Sequence, residues 1–319
     1  MKAIKNEFEN GTTYIGASAG ALIAGKDIKL AADFDKNDVK LKEDEMEEIF
    51  KYYDTHAHYG EFGLGCNKKY RRFYEDTNQL LENARKAGVV KIVNVAIGID
   101  SNEGILSVLE NAGEIPEIRF AFGEHPNSVG TEADCGLDAQ KDALIEKFLE
   151  HEKACAVKTG LDLYKGKDNQ FRQRERFLTR IQQSIKHGLP LVLHVRDAGM
   201  EAINLLKEVS DGKLYEGVVH CFTDTPDLAH AYAALGFSIG IGGKVTYPEN
   251  KMVIQTVKEI PLEKIVLETD APFISLYRKS GRGESADIPQ IAKRIAELKN
   301  LELEKVANQT YQNAEKIFG

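Results

Sequence analysis

From Tyr52 onward the chain alternates two hydrophobic patterns. Short runs that are apolar at nearly every position predict strands over Val89–Ile97, Ile118–Gly123, Lys153–Val157, Leu191–His194, Gly217–His220, Phe237–Ile241 and Lys264–Leu267. Between them lie segments with apolar residues at helical spacing. They predict helices over residues 72–86, closed by Ala87-Gly88, and near 103–111, 142–150, 198–206, 226–235 and 248–259. A longer helix takes Asp168 as N-cap, runs through Phe171, Phe177, Leu178, Ile181 and Ile185, and stops at Gly188 and Pro190. With the aromatic run Ile49–Tyr53 as the first strand, the strands number eight. Strands apolar on both faces belong to a parallel sheet covered on both sides. Eight βα units in about 270 residues match the size of a TIM barrel. An open doubly wound sheet is disfavoured, because no glycine-rich dinucleotide fingerprint follows an early strand. Helices near 287–299 and 302–318 would cover the C-terminal end. The expected fold is α/β, a TIM (β/α)8 barrel with a short N-terminal extension.

Residues 1–50 break this pattern and form the extension; residues 51–319 form the barrel. A short strand, a tight turn and a small-residue helix are expected over residues 11–25. Gly16-Ala17-Ser18-Ala19-Gly20 matches the GxSxG nucleophile elbow, whose glycines allow a sharp turn under an exposed serine. About residues 10–40 resemble the nucleophile region of the peptidase E (dipeptidase E) family. The sheet that should precede the elbow is absent, and no histidine precedes His56 to activate Ser18. The extension therefore reads as non-catalytic. The acidic run over residues 42–48 reads as a solvated helix or linker.

Chemistry enters at the strand ends, where TIM barrels carry their functional residues. His56 and His58 follow strand one, and at i and i+2 they would share a face. Glu124 and His125 follow strand three, and Lys158 follows strand four. His194 ends strand five, His220 ends strand six, and Glu268, Thr269 and Asp270 follow strand eight. Five of the eight histidines thus end barrel strands, while His151, His187 and His230 fall on helices or their ends. Imidazoles gathered in this way predict a metal centre. Lys165, Lys244, Arg278 and Arg282 lie near loops over the barrel mouth.

Composition narrows the class. No apolar run approaches membrane-spanning length, and the N-terminus lacks a signal-peptide core. The four cysteines form no CxxC, so a disulfide framework or zinc ribbon is not suggested and a cytoplasmic protein is expected. The net charge of −8 argues against broad electrostatic binding of nucleic acid, leaving local basic patches to handle phosphate.

Six motifs in order are similar to those of the TatD metal-dependent hydrolases: Asp54-Thr55-His56-Ala57-His58, Gly123-Glu124-His125-Pro126, Gly160-Leu161-Asp162, Leu193-His194-Val195-Arg196-Asp197-Ala198, His220-Cys221-Phe222-Thr223 and Leu267-Glu268-Thr269-Asp270-Ala271-Pro272-Phe273. The ending Asn313-Ala314-Glu315-Lys316-Ile317-Phe318-Gly319 resembles theirs as well. The resemblance spans about residues 52–319. It implies an amidohydrolase-like barrel and a metal-dependent deoxyribonuclease acting on DNA ends. By that resemblance His56, His58 and Asp270 hold one divalent ion, and His194 with His220 holds a second. Mg, Mn, Zn, Fe and Ni are all compatible with such donors. Two ions would polarise a phosphoryl oxygen and activate a water. Asp270 would accept the water's proton, His125 would touch the phosphate, and Arg196 would either make a second phosphate contact or pair with a carboxylate. DNA is the expected substrate; no membrane and no protein partner is expected.

One position departs from the family. Where its members carry a bridging Glu on strand four, this chain reads Val157-Lys158-Thr159-Gly160. An ammonium cannot ligate a cation. Three readings stand: Lys158 is carboxylated on its amine and bridges, Glu124 supplies the carboxylate instead, or the site holds one ion or a weakened pair. Alternatives to the nuclease are a small-molecule metallohydrolase for an amide, lactone or phosphoester, and a degraded barrel acting as a binding module.

Overall fold

Eight parallel strands follow one another round a sheet in chain order. They are β1 (Tyr52–Ala57), β2 (Val89–Val95), β3 (Glu117–Gly123), β4 (Ala154–Asp162), β5 (Leu191–Arg196), β6 (Gly217–His220), β7 (Ser238–Ile241) and β8 (Ile265–Leu267). The computed structural model describes residues 14–15, 22–23, 50–60, 77–99, 101–110, 113–130, 136–278 and 281–319. Tyr52–Gly319 forms one compact unit. The helices between and after the strands are α1 (Thr77–Lys86), α2 (Asp138–Leu149), α3 (Gln170–His187), α4 (Gly199–Ser210), α5 (Pro226–Ala234), α6 (Lys251–Glu259), α7 (Ile288–Lys299) and α8 (Leu303–Phe318). None of the described helices is long and apolar enough to cross a membrane.

The barrel closes just past the end of β8. The Asp270 amide donates to the His56 carbonyl at 2.8 Å, and the His58 amide donates to the Ala271 carbonyl at 2.9 Å. Asp54, fully buried on β1, fastens this seam. Its carboxylate accepts from the Thr269 hydroxyl and the Ser285 hydroxyl, both at 2.6 Å, and from the Thr269 amide at 3.0 Å. Burial pushes its pKa up to about 6, although those hydrogen bonds oppose the rise. Beneath the seam, Tyr53, Val93, Ala121, Ala156, Val192, Val218 and Val266 pack with Phe318 of α8 into an apolar cluster.

Strand register carries functional residues to one level. Gly123 pairs with Lys158, Gly160 with His194, and His194 with His220. A Cβ at Gly123 would collide with the Lys158 carbonyl, and one at Gly160 with the His194 carbonyl. Glycine at both positions lets β3, β4 and β5 approach closely.

Several boundaries differ from the sequence expectation for identifiable reasons. β1 runs to Ala57 and β4 to Asp162, because the polar side chains near their ends are buried, with Asp54, Thr55 and Asp162 hydrogen-bonded inside the protein rather than to water. Hydrophobicity alone ends both strands too soon. α2 begins at Asp138, four residues before the apolar periodicity starts, and Asp138 pairs with Arg172. Asp168 is not the N-cap of α3; it lies in a 3-10 turn, Lys167–Asn169, and α3 begins at Gln170. The helix expected near 103–111 is one α turn, Ser101–Gly104, followed by the 3-10 segment Ile105–Glu110. In the extension, Tyr14–Ile15 pairs antiparallel with Leu22–Ile23, so Leu22 and Ile23 are extended where a helix was expected. Ser18 lies outside the described residues.

Candidate metal centre

His56 and His58 leave β1 on the same face, and Asp270 meets them from the residues after β8. His58 Nδ1 lies 2.7 Å from the Val95 carbonyl oxygen. A carbonyl only accepts, so Nδ1 carries a proton, and in the neutral tautomer that ligates a metal Nε2 presents a lone pair. That lone pair stands 3.1 Å from Asp270 Oδ1, itself an acceptor. Two acceptors so placed are reconciled by a cation between them. His56 is 1% exposed, yet neither ring nitrogen has a hydrogen-bond partner among the described residues. Its Nε2 lies 3.9 Å from the same carboxylate oxygen. These buried, unpaired donor atoms fit a divalent ion.

A second group shares His56. His220 stacks on it with ring centroids 3.6 Å apart, and Glu268 faces His220 Nδ1 at 3.4 Å. Glu268 Oε1 accepts from the Cys221 amide at 2.5 Å, while Oε2 is buried without a partner. His56, His220 and Glu268 offer ligand atoms within 4.8 Å of one another, as do His56, His58 and Asp270. Burial first, then the neighbouring Asp270, drives the Glu268 carboxyl well above the usual carboxylate range. The sequence placed Glu268 at a strand end without a role. The missed signal was its i, i+2 relation to Asp270, the same spacing that singled out His56 and His58.

His194 sits beside this pair. Its Nδ1 is 3.4 Å from His220 Nε2, and its Nε2 is 3.3 Å from Asp162 Oδ2. Asp162 therefore fixes the tautomer, leaving the lone pair of His194 on the side of His220. The amides of Tyr164 and Lys165 and the Asn127 side chain also donate to Asp162. Burial would raise its pKa, but these hydrogen bonds outweigh burial and hold it well below the usual range. Asp162 is a second residue whose role the sequence reading missed, since its motif was noted but not its partner. His125 packs its ring 4.1 Å from that of His194. Its Nδ1 accepts from the Asn127 amide, which leaves Nε2–H as a donor at the barrel mouth.

Lys158 lies in the middle of this assembly, 1% exposed, its Nζ without a hydrogen-bond partner. Burial lowers its pKa to about 8. Burial is also the main cause of the lowered pKa values of His56, His125, His194 and His220, and the charge of Lys158 adds to each. The imidazoles are thereby kept neutral, as ligands must be.

Two expected residues stand elsewhere. Glu124 is drawn towards α3: its Oε1 is held by Arg176 Nε at 2.7 Å and by Arg180 at 3.2 Å, both from the buried face of that helix, while its Oε2 is buried without a hydrogen-bond partner among the described residues. Asp142 completes that network. Two guanidinium groups inside a helix–strand interface thus compete for the carboxylate that sequence proximity offers to the strand-four gap. Arg196 is exposed at the mouth, and its guanidinium sits 3.8 Å over the Tyr164 ring rather than on a carboxylate.

The family model described as TatD related DNase matches residues 53–319. The chain belongs to the TatD family. It is 31% identical over 270 residues to the uncharacterized metal-dependent hydrolase YabD of Bacillus subtilis, covering 83% of this chain and 98% of that protein. It is 32% identical over 267 residues to a protein of a Rahnella species named 3'-5' ssDNA/RNA exonuclease TatD, covering 81% and 97%. The crystal structure of the TatD homologue YjjV of Escherichia coli superposes with a TM-score of 0.72 at 26% identity, covering 85% of this chain and 98% of that one. The TIM barrel and the metal-dependent hydrolase class follow, and the His and Asp clusters described above are where such a TatD protein would hold its metal.

Proposed function

We propose that this TatD-family hydrolase cleaves phosphodiester bonds at the ends of single-stranded nucleic acid, DNA first, with two divalent cations. The observation that carries the reading is His58 Nε2 facing Asp270 Oδ1 at 3.1 Å beside a doubly unpaired His56. The Rahnella relative's name supports the substrate class. His56, His58 and Asp270 would hold one cation, and His220, with His194 or Glu268, the second. Bound there, divalent cations polarise a phosphoryl oxygen, lower the pKa of a water and stabilise the leaving oxygen.

The chain's own groups do the rest. Asp270 takes the proton from the attacking water. His125 donates Nε2–H to a non-bridging phosphate oxygen, and Arg196 counters phosphate charge from the rim. Asp162 holds His194 in the tautomer that ligates.

Lys158 needs its own assignment. The ion pairs of Glu124 speak against its replacing the bridge. A buried, unpartnered amine with pKa about 8 is reactive towards carbon dioxide near neutral pH. We assign it as a carbamate: the amine nitrogen bonds the carbon of CO2, a proton is released, and the resulting carboxylate offers the oxygen donors that an ammonium lacks.

The test is metal analysis and intact mass on protein purified without chelator, followed by nucleotide release from single-stranded DNA with and without chelator. About two ions per chain, a mass gain of one CO2, and chelator-sensitive release are expected. One ion with an unmodified lysine would remove the carbamate. Metal without cleavage of DNA would favour a small-molecule hydrolase instead.

A further inference from the structure

Two aromatic rings stand largely exposed at the mouth of the barrel. Tyr164, two residues beyond the Asp162 that orients His194, is 58% exposed. Phe171, in the first turn of α3, is 68% exposed. Each is accompanied by a cation: the Arg196 guanidinium lies 3.8 Å over the Tyr164 ring, and that of Arg174 lies 5.9 Å over Phe171. Lys165 and Lys167, both exposed, lie between the two rings in the chain. Arg174 is also ion-paired with Glu201 and Asp168 lies in the same stretch, so on a chain of net charge −8 the local positive excess of this aromatic strip rests on Lys165, Lys167 and Arg196.

The strip is continuous with the metal centre. Arg196 follows His194 by two residues on β5, so both leave the strand on the same face. A groove of ≈ 350 Å³ is lined by Asn127, Lys165, Asp168, Asn169, Phe171 and Arg172, the last ion-paired with Asp138 and Glu175. Of these, Asn127 donates to the same Asp162 oxygen that faces His194 Nε2. Rings that stack bases, set among cations that track phosphates, are the chemistry by which single strands are held without sequence preference. A paired duplex end hides the base faces that such rings need.

Resting on the nuclease reading above, we propose that Tyr164 under Arg196, followed by the groove to Phe171, stacks consecutive unpaired bases of the strand whose end lies over the histidine cluster. Tyr164 and Phe171 are then specificity-determining residues, selecting unpaired nucleotides over a blunt duplex. Asn127, shared between the groove and Asp162, sets the spacing between the stacked base and the scissile phosphate.

The experiment compares the metal-loaded full chain with its Tyr164→Ala, Tyr164→Phe and Phe171→Ala variants on oligothymidylates of increasing length and on a blunt duplex. For the wild type, KM should fall as the oligonucleotide lengthens from a dinucleotide, and the blunt duplex should be the poorer substrate. Tyr164→Ala should raise KM on the longer strands by about 10- to 100-fold, in line with the loss of one stacked base, and Phe171→Ala should do so to a lesser degree. Tyr164→Phe should restore the wild-type KM, since the ring and not the hydroxyl stacks. Unchanged KM in both alanine variants, or a blunt duplex cleaved as well as the single strand, would overturn the stacking strip while leaving the nuclease reading standing. A wild type that hydrolyses a small chromogenic phosphodiester but no nucleic acid would overturn both.

Discussion

His58 Nε2 and Asp270 Oδ1 stand 3.1 Å apart across the seam where the first and last strands of the barrel meet. The Val95 carbonyl holds a His58 proton on the other nitrogen, so in the neutral tautomer this face of the ring offers only a lone pair. The seam that closes the fold is therefore also where the metal ligands come together. The same backbone contact, the Asp270 amide on the His56 carbonyl, does both jobs.

Asp270→Asn removes the charged partner of both histidines. Metal affinity should fall by more than the roughly 10- to 100-fold typical of losing an outer partner, with chelator-like loss of hydrolysis. Isothermal titration with Mn or Zn measures the first effect and nucleotide release the second. Equal affinity in the variant would place the ion elsewhere.

Asp162→Asn keeps the shape of the side chain but replaces its charge. His194 Nε2–H then loses its anionic acceptor, and metal affinity or turnover should drop about 10- to 100-fold. Circular dichroism should be unchanged, which separates ligand orientation from unfolding.

Glu124→Ala strips the buried carboxylate from Arg176 and Arg180, both at most 2% exposed. Removing the only partner of a buried charge costs about 3–5 kcal/mol, and because Asp142 still pairs with both guanidinium groups the loss here should fall below that range. Urea unfolding should show that loss, while the number of ions bound per chain stays at the wild-type value. A drop in metal content with stability intact would return Glu124 to the site.

Glu146, far from the mouth on α2, reports on pH. Partial burial raises its pKa, but hydrogen bonds from Lys186, His187 and Gln183 outweigh burial and hold it down to about 2. A carboxyl with a depressed folded-state pKa stabilises above its ordinary value of 4.5 and loses that contribution as pH falls from there towards 2. At the solvated surface the contribution is at most about 1 kcal/mol. Wild type and Glu146→Gln should therefore differ slightly in unfolding midpoint at pH 6, and the gap should close on acidification. A gap that widens instead would contradict the sign.

The barrel and the ring of strand-end residues were legible because both rest on local spacing. Apolar runs of strand length and the i, i+2 pair His56 and His58 need no knowledge of neighbours. Boundaries failed where polar residues are buried. Asp54 and Thr55 read as a strand end, yet the Thr269 and Ser285 hydroxyls satisfy Asp54 and the Leu267 carbonyl satisfies Thr55 inside the sheet. α3 is legible as a helix stopped at Gly188, but its buried face is not, since Arg172, Gln173, Arg176 and Arg180 form much of it while Phe171 and Ile185 are exposed.

By itself the sequence determined the order of strands and helices, the closed α/β class and the level at which His56, His58, His125, His194, His220 and Asp270 are displayed. Periodicity encodes which face a residue leaves, and chain order encodes which strand it leaves from. Only the tertiary structure decided who meets whom. Register brought His194 opposite His220, drew Glu268 in beside them and set Asp162 behind His194. Helix packing withdrew Glu124 to Arg176 and Arg180, and the rim laid Arg196 over Tyr164. These pairings join residues tens of positions or more apart and are set by how the elements pack, which no local pattern records.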